Sequence, residues 1–124
     1  MLETEIRKYL IEQPSIKNVI NNRIYPHVIP ENAPFPAIAY NEVSGLGHHD
    51  INVNFPRLQY SCYSTQYVEA KQLRRYVKDA LKGYKGMMGD KKIIQISVEG
   101  EYETYESDRG IYGALIDFKI IYWE

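Results

Sequence analysis

RLQYSCYSTQYVEAKQLRRYVKDALK, residues 57–82, changes its apolar period midway. Over 57–63, Leu58, Tyr60 and Cys62 alternate with Gln59, Ser61 and Tyr63, which is the pattern of a strand with one buried face. Ser64 or Thr65 can then cap a helix over 66–82, where Ala70, Leu73, Val77, Ala80 and Leu81 recur at helical spacing. Gly83 stands where a left-handed terminating residue is expected. A half-buried strand that runs straight into an amphipathic helix calls for two layers, a sheet and helices above it.

The flanks extend the same reading. Upstream, 36–43 (PAIAYNEV) is strand-like, and the polar stretch 44–54 (SGLGHHDINVN) suits the long tip of an antiparallel hairpin. Leu2, Ile6, Tyr9 and Leu10 mark a short helix over 2–12, which Gln13-Pro14 stops. Ser15 caps a second short turn with Ile16, Val19 and Ile20 inward, and Asn21-Asn22 ends it. Residues 23–28 form a short strand at a sheet edge, because Pro26 has no N–H for a ladder. Downstream, 85–90 reads as a loop and 91–98 as a strand with Ile94, Ile96 and Val98 on one face. The last strand is 111–123 (IYGALIDFKIIYW), with Ile116, Phe118, Ile120 and Tyr122 on one face and Asp117 and Lys119 on the other. The acidic segment 99–109 joins these two strands. The order helix, strands, helix, strands predicts an α+β fold: a mostly antiparallel sheet of four to five strands with two main helices packed on one face. With no repeat or linker, 1–124 reads as one domain.

Composition narrows the function. The chain has 124 residues, 44% hydrophobic and 25% charged, the balance of an ordinary globule. A net charge of −1 gives no overall attraction to nucleic acid. Cys62 is the only cysteine and fits a reducing compartment. Charged residues interrupt the N-terminal MLETEIRKYL, so it does not read as a signal peptide, and no stretch approaches the about 20 apolar residues of a membrane span. Twelve tyrosines point to contact surfaces, since tyrosine offers a rigid apolar ring with a polar tip.

No motif names a reaction. His48-His49-Asp50 carries metal-binding residue types on a glycine-flanked loop, but neighbours on an extended chain point opposite ways and no HxH or HxxxH spacing exists, so it reads as a polar loop tip without metal. Cys62 shares the apolar face of Leu58 and Tyr60 and reads as a buried thiol, not a nucleophile. An enzyme of unrecognised type would need His27, His48 and Cys62 to converge. No phosphate-binding, dinucleotide or GxSxG pattern is present, so no cofactor is expected. The charges are more informative. The helix 66–82 carries Lys71, Arg74, Arg75, Lys78 and Lys82, whereas 99–108 carries Glu99, Glu101, Glu103, Glu106 and Asp108. Each run can be a solvated face. Alternatively the basic helix of one subunit meets the acidic segment of the next, with Tyr102 and Tyr105 adding contact area. A third reading has the basic helix tracking phosphates, as in a small nucleic-acid-binding α+β domain.

The succession "NNRIYPHVIPENAPFPAIAYNEVSG", "RLQYSCYS" and "TQYVEAKQLRRYVKDAL" resembles the small tail-completion proteins of long-tailed bacteriophages. These are tail terminator and tail-to-head joining proteins, similar to the minor tail protein U of phage lambda. The likeness rests on Arg23-Ile24-Tyr25-Pro26, on the proline-led strand from Pro36 to Tyr40, and on the polar strand leading into a capped helix; it is strongest over 2–83. The resemblance implies a non-enzymatic virion protein, assembled in the bacterial cytoplasm. It implies a ring, commonly of six subunits, at the head-proximal end of the tail, where it ends tube growth or joins tail to head. Its partners are then copies of itself, the tail tube protein and a head connector or neck protein, with no membrane and no specific nucleic acid. A head-completion role in the neck is the alternative within the same family. Lys71, Arg74, Arg75, Lys78, Glu101, Tyr102, Glu103, Tyr105 and Glu106 are the candidates for subunit contact. His48, His49 and Asp50 are the candidates for contact with the tube or its lumen. Pro26, Pro30, Pro34 and Pro36 form a stiff arm of low entropy that resists stray strand pairing.

Overall fold

The computed structural model describes residues 1–44 and 52–124. Helices α1 (Leu2–Ile11), α2 (Pro14–Ile20) and α3 (Tyr67–Leu81) accompany seven strands: β1 (Ile24–Pro26), β2 (Ala37–Ser44), β3 (Val53–Asn54), β4 (Arg57–Ser64), β5 (Gly86–Met88), β6 (Lys91–Glu106) and β7 (Ile111–Trp123). All seven belong to one sheet in the order β1-β2-β4-β7-β6-β5, with β3 paired to the end of β7. The class is α+β as the sequence implies. Seven strands replace the four to five expected, because β3 and β5 are two- and three-residue pieces with too little pattern to read, whereas β1 lies within the edge strand expected over 23–28.

The 57–82 stretch folds as its period dictates. Leu58, Tyr60, Cys62 and Ser64 are buried on one face of β4, and Ala70, Leu73, Val77 and Leu81 on the inner face of α3. The helix is capped differently from expectation. Gln66 takes the N-cap position, while the Ser64 hydroxyl accepts from Gln66 N–H and donates to Glu69. Gly83 adopts φ +78, as a helix terminator requires. Its N–H donates to the Ile96 carbonyl, tying the helix end to β6.

Two strands pair antiparallel with β7 along one flank because β3 and β4 are one path broken at Phe55-Pro56. The proline has no N–H to give, but its carbonyl accepts from Ile120. β1 is a parallel edge strand on β2, with Ile24 opposite Ile38. Pro14 does not merely end α1; it opens α2 at a first-turn position, where its missing N–H is harmless.

The largest correction concerns 91–109. The acidic stretch is not a connection. β6 continues through it to Glu106, in register with β7 down to Glu106 opposite Ile111, and only residues 107–110 turn. Tyr102, Thr104 and Tyr105 supply the strand preference that the glutamates obscure. The face assignment also changes: shifts between Ile93 and Gln95 bury Ile93 with Ile96, leaving Ile94 and Val98 half-buried. The loop read at 85–90 contains β5, which pairs with Lys91–Ile93.

The core lies between the helices and one sheet face, where Ile6, Leu10, Ile16, Ile20, Leu73 and Val77 join Leu58, Tyr60, Ile116, Phe118 and Ile120. Burying such side chains stabilises by about 1.5–3 kcal/mol each. The opposite face, called the open face below, carries Ala39, Ser61, Tyr63, Gly113, Leu115 and Asp117.

Candidate assembly interface

The two charged stretches meet within one chain. Residues on β6 alternate, so Glu101, Glu103 and Tyr105 face α3 whereas Tyr102, Thr104 and Glu106 face the open side. Lys78 reaches Glu101 at 3.2 Å, Arg74 reaches Glu101 at 3.5 Å and Lys71 reaches Glu103 at 3.5 Å. Arg74 also donates to the Tyr102 carbonyl, which caps an outward backbone group on the sheet edge. The Tyr67 hydroxyl donates to Glu103 at 2.7 Å. That bond, reinforced by the charges of Lys71 and Arg74, holds the Glu103 carboxyl below the usual carboxylate range. The Tyr67 hydroxyl and Glu103 together raise Lys71. Arg75 is paired only loosely, with Asp79 one turn away at 3.9 Å. With three of the helix cations engaged, α3 offers phosphates less free charge than its sequence implies.

Tyrosines extend this surface towards the β6–β7 turn. Tyr112 stacks edge-on with Tyr67 and lies 4.7 Å from Tyr105 between ring centres. Lys71 sits over the Tyr67 ring. Along the outer side of α3, Tyr67, Val68, Lys71, Gln72, Arg75 and Lys78 line an open groove of about 580 Å³. Val68 is 74% exposed.

Tyr102 does different work from its neighbours. It lies over Gly100, where a Cβ would meet its ring oxygen at 2.6 Å. Its hydroxyl approaches Asp117 at 3.3 Å, beside the Arg57 guanidinium and the Gln59 amide, both 2.9 Å from the same carboxylate. The bond to Asp117 raises Arg57.

The proline arm crosses the open face. His27 adopts φ +60 and its N–H donates to the Tyr40 carbonyl, which sends the chain away from β2. Arg23 donates to the Pro36 carbonyl and so fastens the arm's return. Val28, Ile29, Pro30 and Phe35 enclose a cavity of about 160 Å³ above Ala39, Tyr63 and Ile111, with the Glu106–Arg109 pair at its rim. Arg109 holds Glu106 below the usual carboxylate range.

Two of the three catalytic candidates, Cys62 and His27, are among the described residues. Cys62 is buried, and burial pushes its thiol well above the ordinary range; His27 is exposed on the arm. His48, His49 and Asp50 fall outside the described residues. Among the described residues no group of three or more metal-ligating side chains comes together, and no helix is long and apolar enough to cross a membrane. Sequence reasoning overlooked Tyr67, Val68, Tyr112 and Val28. The tyrosine abundance was the only signal for the first and third, and nothing marked the two valines as outward.

Comparison with known proteins places this geometry. No curated protein matches the chain. A solved structure titled "Virion of native gene transfer agent (GTA) particle" contains a chain of similar fold, with TM-score 0.82, 12% sequence identity, and coverage of 99% of this chain and 95% of that one. The family described as tail completion protein gp17 matches residues 4–123, so the chain belongs to that family and is a structural virion protein of tail assembly.

Proposed function

We propose that the protein forms a ring, of six subunits, at the head-proximal end of a phage tail, where it stops tube polymerisation and presents a face to the neck. The family match over 4–123 carries this reading. The fold likeness to a chain of a phage-like virion particle supports it. The side built from α3 and the distal half of β6 is assigned to subunit contact, with Lys71, Arg74, Arg75, Lys78, Glu101, Glu103 and Tyr105 as its candidates, and Tyr102 and Glu106 are the candidates on the open face. Because Lys71, Arg74 and Lys78 already have acidic partners in their own chain, their part is to hold that side rigid. His48, His49 and Asp50, in the segment between β2 and β3, are assigned to contact with the tube or its lumen, since binding residues are often carried by the segments that connect strands.

The mechanism is geometric. A ring that matches the last tube ring on one face but offers no tube-like surface on the other ends growth by occupying the growing end. The test is assembly of the cognate tube protein with and without this chain, followed by electron microscopy. Shorter tubes bearing a terminal ring are expected. Tubes of unchanged length with bare ends would overturn the reading.

A further inference from the structure

We propose that the contact between subunits places the proline arm of one copy, led by Val28, on the outer groove of α3 in the next copy, at Val68. This deepens the ring reading and rests on it. Apart from Met1, Val28 (73% exposed) and Val68 (74%) are the most exposed large hydrophobic residues among those described. Each leaves an apolar side chain in water beside a concave surface, the arm cavity and the α3 groove.

Their placement selects the symmetry. The arm lies over the open face of the sheet, because Ala39, Tyr63 and Ile111 form the floor beneath it. The groove lies on α3, on the opposite face. Two different patches on opposite faces meet only head to tail, and a repeated head-to-tail contact closes into a ring when the rotation permits. A two-fold contact at the groove would instead set Lys71 and Arg75 of one copy against the same cations of the other, which is repulsive.

Charge and stiffness agree with this occupant. The groove holds Lys71, Arg74, Arg75 and Lys78 against Asp79 and Glu101. The arm from Val28 to Pro36 bears one charge, the exposed Glu31. With Glu103 paired to Lys71, four cations face three carboxylates, so a single acidic residue on a mainly apolar arm meets no net repulsion there. Pro30, Pro34 and Pro36 fix φ along the arm, and the Ala33 N–H closes a turn on the Pro30 carbonyl, so the arm is shaped beforehand and little conformational entropy is lost on docking.

The test uses thiol cross-linking at exposed sites, where substitution leaves the fold intact. Val28→Cys and Val68→Cys are prepared singly, mixed before assembly, and treated with a short bis-maleimide; the buried Cys62 does not react. The expected result is a covalent dimer in the mixture and none with either variant alone, and a ladder up to the closed ring with the double variant. Self-linking of either single variant, or no link while the wild-type chain sediments as a ring, would overturn the contact and leave the ring reading standing. Absence of links in the mixed variants, together with a wild-type chain that stays at subunit mass, would overturn both.

Discussion

Asp117 sits mid-strand in β7, only 3% exposed, on the open face of the sheet. A carboxylate there persists because Arg57, Gln59 and Tyr102 converge on it. Replacing Asp117 with Ala strands the Arg57 guanidinium, whose side chain is about a third exposed and so recovers part of its hydration. Urea unfolding is expected to show a loss of about 2–3 kcal/mol. Tyr60 presents the opposite case. Its hydroxyl is buried with no hydrogen-bond partner among the described residues, and burial pushes its pKa far up. Tyr60→Phe removes a desolvated group without removing a bond, so stability is expected to stay level or rise by about 1 kcal/mol in the same assay. Glu103 supplies a pH dependence. Its folded pKa lies below the unfolded value, so its contribution is present above the ordinary carboxylate pKa and disappears as pH falls through the folded one. The stability lost between neutral pH and about pH 3 is expected to be smaller in Glu103→Gln than in the wild-type chain.

At the scale of elements, the pairing of β6 with β7 carries the proposed assembly surface. Gly113 lies where side chains of both neighbouring strands crowd over β7: a Cβ there would run into the Thr104 hydroxyl and come within 2.9 Å of the Tyr63 ring. Gly113→Ala is expected to cost about 1–3 kcal/mol by forcing both side chains aside, as read from the denaturation midpoint. β4, α3 and the whole of β7 were legible in the sequence because one buried face imposes a clean period on each. β6 was legible only in its first half. Beyond Val98 its helix-facing residues begin with Glu101 and Glu103, whose neighbour is a row of cations and not an apolar core, so no hydrophobic period announces a strand. The register shifts at Ile93 and Val98 moved the buried face in a way that strict alternation cannot follow. The candidate site divides along the same line. Both charged runs were visible, but their partnership within one chain depends on β6 continuing under α3, which the sequence hid. Val28 and Val68 carry no sequence mark at all, since an exposed valine looks like a core valine until the fold orients it.

For the whole molecule, the proposed contact joins two surfaces on opposite faces of the sheet and so requires head-to-tail closure. The ion pairs between α3 and β6 lie inside the subunit, and the proposed contact between subunits is mainly apolar. Salt therefore acts chiefly on the subunit's own surface pairs, which are screened and individually weak. Sedimentation velocity over a range of protein concentrations, at low salt and at about 1 M salt, tests the ring most directly. The account predicts a species near six times the 14.5 kDa subunit mass that grows with concentration and survives the high salt. A species at the subunit mass under every condition would contradict it.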